Sequence, residues 1–434
     1  MTDRRSLLQS LRASHAAPRD TQPLPAPPPA GAADLTTHPA WRQIALIRAA
    51  SETMAIPSPF FRRIEAAEGT RIRIAGRWAE NFAAYDYLSL NRSPDLARAV
   101  TQAVEAWGVS ATASRLVGGE HDYHRGLEHD LARFLGTEQA LVFVSGHATN
   151  HAVLRTLLGP EDLVLVDQLA HNSVFEGIRA AGCAHLTFPH NDVAWVDAKL
   201  AELRHRHGRV LIAIEGLYSM DGDMPDLAGF VAVKHRHEAL LMLDEAHSIG
   251  TLGATGRGLR EECGVAAGDV DIVMGTLSKT FCSCGGFIAG SSVLIDILRY
   301  HAPGFVYSVG LSAPNAAAAQ FALDRLATDP APVRRLRGLG LCFRKTAEAA
   351  GLDCGLGQGT AIAPVIVGDS ALAGRLSQAM LEAGVNVLPI LAPAVPDRSA
   401  RLRFFLNAGH SEAAVEEAIA QTARALTRLR GQGR

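Results

Sequence analysis

No apolar run in this sequence reaches the roughly 18 residues that a membrane-spanning helix needs. Runs such as 210–214 and 239–243 are strand length. The amino terminus lacks a secretory apolar core. Its arginines and serines suggest a transit segment, but Asp3, Asp20 and the prolines behind them argue against one. Neither sign of charge dominates, with 42 basic side chains against 44 acidic ones. That balance excludes a nucleic-acid-coating protein and a binder of anionic membranes, while leaving room for a small basic pocket. Cysteine is sparse, with six residues: Cys183, Cys263, Cys282, Cys284, Cys342 and Cys354. None forms a metal knuckle, since Cys282-Ser283-Cys284 is too tight for the usual pair. The 17 histidines are scattered, and none shows HExxH spacing. No resident metal is expected, and a reduced cytoplasmic setting is the simplest reading. No internal repeat is visible.

What the chain has is room for a large core. Its 434 residues, 48% of them hydrophobic, suit two or three structural domains. Residues 1–38 read as a flexible arm, because the Pro/Ala-rich stretch 23–29 cannot build a core. Segment 39–93 reads as a helix and a hairpin. Trp41, Ile44 and Ile47 recur at helical spacing and suggest a docking helix that Pro57 and Pro59 end. Arg71-Ile72-Arg73-Ile74 alternates, Ala75-Gly76-Arg77 turns, and 78–82 returns. Helical periodicity follows over 94–107 and 124–136. Segment 94–325 then alternates strand, glycine turn and helix. Apolar strands are expected at 140–144, 163–166, 184–188, 210–214, 240–243, 271–274 and 286–289, with helices such as 192–206 and 226–237 between them. Short, nearly continuous apolar strands with intervening helices predict an α/β fold with a large, mostly parallel seven-stranded sheet. Residues near 318–350 read as helical. Segment 326–434 reads as a smaller α+β domain, with strands near 362–367 and 401–406 and helices near 371–383 and 412–428.

The strongest local signal is Gly275-Thr276-Leu277-Ser278-Lys279-Thr280, which follows the apolar strand. A lysine just past a strand end, flanked by hydroxyls, can bond covalently to an aldehyde cofactor while its neighbours bind phosphate. The glycine spacing is wrong for a Walker A loop. Alone, Lys279 reads more readily as a surface turn residue. Upstream lies Leu241-Met242-Leu243-Asp244-Glu245-Ala246-His247. Asp244 ends an apolar strand, where open sheets bind ligands, and could pair with a protonated pyridine nitrogen. It would serve equally as a helix cap. His247, three residues on, could approach a ring oxygen or a substrate carbonyl. Ser145-Gly146-His147-Ala148-Thr149-Asn150 offers amide donors to a phosphate at a strand-to-helix turn. Cys282 and Cys284 read as small packing residues rather than nucleophiles.

The order of these motifs resembles the α-oxoamine synthase family of fold-type I pyridoxal-phosphate enzymes, over about residues 55–430. The resemblance runs through Ala113-Ser114-Arg115-Leu116-Val117-Gly118-Gly119, His124, Leu127-Glu128, Ser145-Gly146, and Asp167 with His171. It continues through Glu215-Gly216-Leu217-Tyr218-Ser219-Met220-Asp221-Gly222-Asp223, Asp244 to Ser248, and Gly275 to Lys279. Arg401-Leu402-Arg403 and Ala408-Gly409-His410 close it. It implies pyridoxal 5'-phosphate held covalently by Lys279. It further implies His124 stacked on the pyridine face, Asp244 on the ring nitrogen and His247 on the ring hydroxyl oxygen. Ser145, Gly146, His147, Thr276 and Ser278 would hold phosphate, joined by Ser308 of the partner subunit. Arg403 would bind the amino-acid carboxylate. His171 and Glu215 would be further pocket residues. A homodimer with shared active sites is implied.

The implied chemistry is a decarboxylative condensation of serine, glycine or alanine with an acyl thioester, giving an α-aminoketone. Lys279 would act as the proton-transfer base. The Ser114-Arg115-Leu116-Val117 run is most similar to the 8-amino-7-oxononanoate synthases of biotin synthesis. The stretch 243–248 and the glycine pair after Lys279 are more similar to the serine palmitoyltransferases. The front end Ser58-Pro59-Phe60-Phe61 with Glu65 resembles synthases of lipid or polyketide pathways. The preferred expectation is therefore a long-chain or polyketide acyl donor, carried on acyl carrier protein or coenzyme A, with 8-amino-7-oxononanoate synthesis as the alternative. Two departures stand out. Tyr85-Asp86-Tyr87-Leu88-Ser89 replaces Asn-Asp-Tyr-Leu-Gly and brings Tyr85 toward the substrate pocket. Leu391 replaces an arginine before the loop Ala392-Pro393-Ala394-Val395-Pro396. An aminotransferase or carbon–carbon lyase of the same fold is the rival, disfavoured by the full motif order. A non-catalytic partner subunit is disfavoured because Lys279 is present.

Overall fold

The computed structural model describes residues 33–53, 57–392 and 394–432. Most of the expected arm, and Pro393 of the departing loop, lie outside the described residues. The chain divides into two compact units, Met1–Pro57 and Ser58–Arg434. In the first, Asp34 accepts a hydrogen bond from Thr36 N at 2.9 Å and caps a short turn, and the expected helix forms as Pro39–Thr53.

The second unit opens with β1 (Ile64–Glu68), β2 (Arg71–Ile74) and β3 (Arg77–Asn81), an antiparallel meander. Next come β4 (Gln139–Phe143), β5 (Leu163–Asp167), β6 (Ala184–Phe188), β7 (Val210–Glu215), β8 (Leu240–Asp244), β9 (Ile272–Thr276) and β10 (Gly286–Gly290). These seven form one sheet in the order β4-β10-β9-β8-β7-β5-β6. Strands β5 to β9 pair in parallel, and β10 runs antiparallel to both neighbours. Each of β5, β7 and β9 is buried along its whole length. Helices cover both faces, which is why these strands lack polar alternation.

The chain finishes with β11 (Ile362–Gly368), β12 (Val385–Asn386), β13 (Leu388–Ile390) and β14 (Ala400–Phe405). Strands β11, β14 and β13 make an antiparallel sheet beside helices Ser370–Glu382 and Glu412–Gln432. The architecture is thus the expected large, mostly parallel sheet followed by a smaller α+β part. One connection was not expected. Strand β12 pairs in parallel with β3, so the early meander and the late chain share a sheet. Main-chain bonds extend that seam. Phe405 N donates to Phe82 O, and Ala408 N to Tyr87 O, each at 2.8 Å. The loop carrying Tyr85 and Tyr87 is therefore held against β14. The C-terminal ends of β4, β5, β7, β8 and β9 open on one edge of the large sheet, where ligands of open α/β sheets bind.

Candidate active site

That edge encloses a cavity of about 360 Å³. Lys279 enters it three residues beyond the end of β9. Burial pulls the Lys279 amine down to about 8, against the attraction of Asp244 and Glu215. Its Nζ lies 5.7 Å from the Tyr85 ring centroid.

Asp244 ends β8. Its Oδ2 accepts from Asn150 Nδ2 at 2.8 Å, and its Oδ1 from Ala246 N at 3.0 Å. Asn150 also donates to Ser173 Oγ at 2.9 Å. Ser173 N donates to His171 Nδ1 at 3.2 Å, so Nδ1 is an acceptor and the Ser173 hydroxyl, 2.7 Å away, donates to it as well. One hydrogen-bonded chain therefore links Asp244 to His171. Burial, with Lys279 and His147 adding, holds His171 below the ordinary histidine range against the pull of Asp244. His247 Nδ1 shares a 2.7 Å hydrogen bond with the Tyr87 hydroxyl. Burial and the nearby cations Lys279 and Arg403 keep it neutral, well below the usual range. Glu215, at the end of β7, is pushed well above the usual carboxyl range by burial and by Asp244, and its Oε1 is buried without a partner.

At the adjoining end, Ser145 caps helix Gly146–Leu157 by accepting from Ala148 N at 3.4 Å. The helix N-terminus points its leading amides at the cavity. Position 146 has to be small, because a Cβ there would come within 2.9 Å of Thr276 Oγ1. Thr276 Oγ1 and Ser278 Oγ are 2.8 Å apart, and His147 and Ser278 also line the cavity. Arg403, on β14, donates from Nη1 to Ser219 O at 2.8 Å, while its Nε is buried and unpartnered. Its guanidinium sits 4.6 Å from the Phe405 ring centroid.

Four expected site residues are absent from the lining of this chain's cavity: Arg403 and Tyr85, whose ring stands next to Lys279 and His247, and His124 and Ser308, which lie away from it. His124 is fully buried elsewhere. Its Nε2 bonds Leu311 O at 2.7 Å, and its Nδ1 accepts from His121 N at 3.2 Å. Both nitrogens are thus committed to the protein, and burial, reinforced by Arg115, pulls the ring down to about 4. His171, by contrast, lines the cavity, together with His147 and His247. Ser308 lies between exposed Tyr307 and Val309, away from the cavity of its own chain. Sequence reasoning assigned no role to Asn150, Ser173 or Tyr87. Asn150 had a signal, as a polar residue one turn beyond Gly146 on a helix face shared with buried apolar residues. Tyr87 had none, because its contact with His247 spans 160 positions.

The cavity suits a phosphate-bearing pyridine aldehyde. Its walls bring together helix amides and hydroxyls, an amine of lowered basicity and a hydrogen-bonded carboxylate. The orphaned Glu215 Oε1 and Asn150 Oδ1 leave polar capacity for such a ligand. Fold and cavity together define a fold-type I transferase that uses pyridoxal 5'-phosphate.

Comparison with known proteins narrows this. The model of the family "aminotransferase class I and II" matches residues 79–421. The 8-amino-7-oxononanoate synthase of Geobacter sulfurreducens is 40% identical over 365 residues, covering 84% of this chain and 93% of its own length. That of Methylobacterium radiotolerans is 39% identical, covering 84% and 92%. Among solved structures, the serine palmitoyltransferase of Sphingomonas wittichii aligns with a TM-score of 0.87 at 30% identity, over 91% of this chain and 99% of that one. The S. paucimobilis enzyme with PLP and myriocin bound gives 0.87 at 28% identity, over the same shares. The chain belongs to the aminotransferase class I and II family, as an α-oxoamine synthase. The higher sequence identity lies with the 8-amino-7-oxononanoate synthases, which favours that alternative over the expected long-chain or polyketide acyl donor. Among the described residues no helix is long and apolar enough to cross a membrane.

Proposed function

We propose that this enzyme condenses a small amino acid with an acyl thioester, releasing carbon dioxide and the free thiol and leaving an α-aminoketone. The observation that carries the reading is Lys279. Its amine is held at about 8 by burial, within electrostatic reach of Asp244, Glu215 and Arg403. When bound, the cofactor supplies an electron sink for negative charge at the substrate α carbon. Lys279 tethers it, and once displaced by substrate moves the α proton through Nζ. Asp244, oriented by Asn150, would hold the ring nitrogen, His247, supported by Tyr87, would hold the ring hydroxyl oxygen, and His171, in place of His124, would lie against the ring. Ser145, Gly146, His147, Thr276 and Ser278 hold phosphate, with Ser308 of the partner subunit in a homodimer. Arg403 holds the substrate carboxylate and Tyr85 closes the pocket over Lys279. Such fixed orientation keeps the breaking bond aligned with the ring.

The favoured substrates follow from the relatives' product. In 8-amino-7-oxononanoate the amine-bearing carbon carries a methyl group and adjoins the ketone. Alanine supplies that pair, and a seven-carbon ω-carboxyacyl thioester supplies the remainder. The long-chain reading keeps one support, the close structural likeness to serine palmitoyltransferases. A cytoplasmic location is part of this reading. Borohydride treatment of the loaded wild-type enzyme should fix pyridoxyl on the Lys279 peptide, as read by mass spectrometry. The same adduct surviving in Lys279→Ala would sink the assignment.

A further inference from the structure

The reaction above leaves a buried ion cluster around His190 unused. His190 stands beyond the end of β6, with both ring nitrogens on carboxylates. Its Nδ1 lies 2.9 Å from Asp167 Oδ1, and its Nε2 lies 2.8 Å from Asp223 Oδ2. An ionised carboxylate only accepts, so both nitrogens donate and the ring is cationic. Burial favours the neutral ring, but the two carboxylates outweigh it and push His190 up to about 10. The neighbouring Asn191 repeats the link. Its N donates to Asp167 Oδ2 at 2.8 Å, and its Nδ2 to Asp223 Oδ2 at 2.9 Å. Asp167 ends β5, which is paired on both sides within the large sheet. Asp223 closes the turn 218–223, in which Tyr218 N donates to Asp223 O at 3.0 Å and Gly222 N to Tyr218 O at 2.8 Å.

That turn reaches the substrate side. Arg403 Nη1 donates to Ser219 O at 2.8 Å and to Met220 Sδ at 3.3 Å, while Arg401 bonds Met220 O at 3.2 Å and pairs with Asp221. The turn cannot shift freely on its far side either. Gly222 has φ +68°, and a Cβ there would come within 2.1 Å of Ile362 O.

We propose that His190 is a positioning residue for the substrate carboxylate: it ties the end of β5 to the 218–223 turn and so fixes the carbonyl that aims Arg403. The inference rests on Arg403 as the carboxylate-binding residue. Loss of the clamp leaves Arg403 present but no longer held in one direction, which weakens amino-acid binding and spares cofactor and acyl-donor binding.

The test uses holoenzyme and whichever of glycine, L-alanine or L-serine the wild type binds most tightly. Affinity is read from the visible difference spectrum with no acyl donor present. His190→Gln and Asp223→Ala, which removes the oxygen that accepts from both His190 and Asn191, should each weaken amino-acid binding about tenfold, as expected when an oriented charged contact is loosened. Their pyridoxal-phosphate content and acyl-thioester KM should stay within about twofold. The double variant should be little worse than either single one, because both remove the same clamp. Arg403→Lys should weaken amino-acid binding too. If it does while both clamp variants bind like wild type, the positioning role is overturned. Parallel loss of cofactor content and acyl-donor affinity would overturn it as well, by showing general loosening. If Arg403→Lys binds like wild type, the Arg403 reading fails first, and the clamp with it. Should His190→Gln not fold, Asp223→Ala decides alone.

Discussion

Asn150 Nδ2 donates to Asp244 Oδ2 at 2.8 Å and to Ser173 Oγ at 2.9 Å, so one amide orients the carboxylate at the end of β8 and joins it to the His171 side of the cavity. A hydrogen bond to a charged group contributes about 1.5–3 kcal/mol. Asn150→Ala should therefore weaken pyridoxal-phosphate binding about 10- to 100-fold, at about 1.4 kcal/mol per tenfold. Titration of the apoprotein with cofactor measures this. Asn150→Asp should be at least as harmful, because it places a second carboxylate beside Asp244.

The lowered basicity of Lys279 is open to direct measurement. An unperturbed lysine titrates near 10.4. In the apoprotein the Lys279 amine should become reactive with a midpoint at about 8. The rate of borohydride-trapped cofactor capture should rise through that pH and then level off. A rate still climbing steeply above pH 10 would contradict the electrostatics described.

Gly146 tests the phosphate end. A methyl group there would approach Thr276 Oγ1 to 2.9 Å and Thr276 Cβ to 3.3 Å. Gly146→Ala should therefore disturb the cradle even though alanine favours the helix. The expected result is a loss of preference for pyridoxal phosphate over pyridoxal, read as the ratio of their dissociation constants. An unchanged ratio would place the phosphate elsewhere.

Acid should destabilise the protein through two buried histidines. Burial pulls His124 and His410 each down to about 4, and the His410 ring stacks on Phe82 at 4.3 Å. Above about pH 6.5 both are neutral, folded or unfolded, and cost nothing. Between there and about 4 only the unfolded chain takes up their protons, so stability falls as pH falls. Urea midpoints should drop from pH 7 to pH 5. His124→Gln with His410→Gln should lower the midpoint at pH 7 but flatten that slope.

The large sheet was legible because its strands are short, apolar and regularly spaced. The expected strand 184–188 and the observed Ala184–Phe188 coincide. Strands β12 and β13, of two and three residues, are too short to show a period. Strand β12 also depends on a partner hundreds of positions away, Val385 on Glu80, while β13 pairs with the nearby β14. The same division holds in the cavity. Lys279, Asp244 and Gly146 announce themselves at strand ends, where residue type and local position suffice. His124 and His171 could not be told apart in that way. Each is a histidine near a helix start, and only the fold commits both nitrogens of one ring to the protein while leaving the other on the cavity wall.

The central claim is the condensation itself. Holoenzyme should be incubated with labelled glycine, L-alanine or L-serine and a panel of acyl thioesters, on coenzyme A and on carrier protein. The panel should run from ω-carboxyacyl to long-chain donors. Equal amounts of carbon dioxide and α-aminoketone are expected by mass spectrometry, largest for L-alanine with the seven-carbon ω-carboxyacyl donor, and none from Lys279→Ala. Amino-group transfer to a keto acid, with no carbon dioxide or aminoketone from any pair, would contradict that claim.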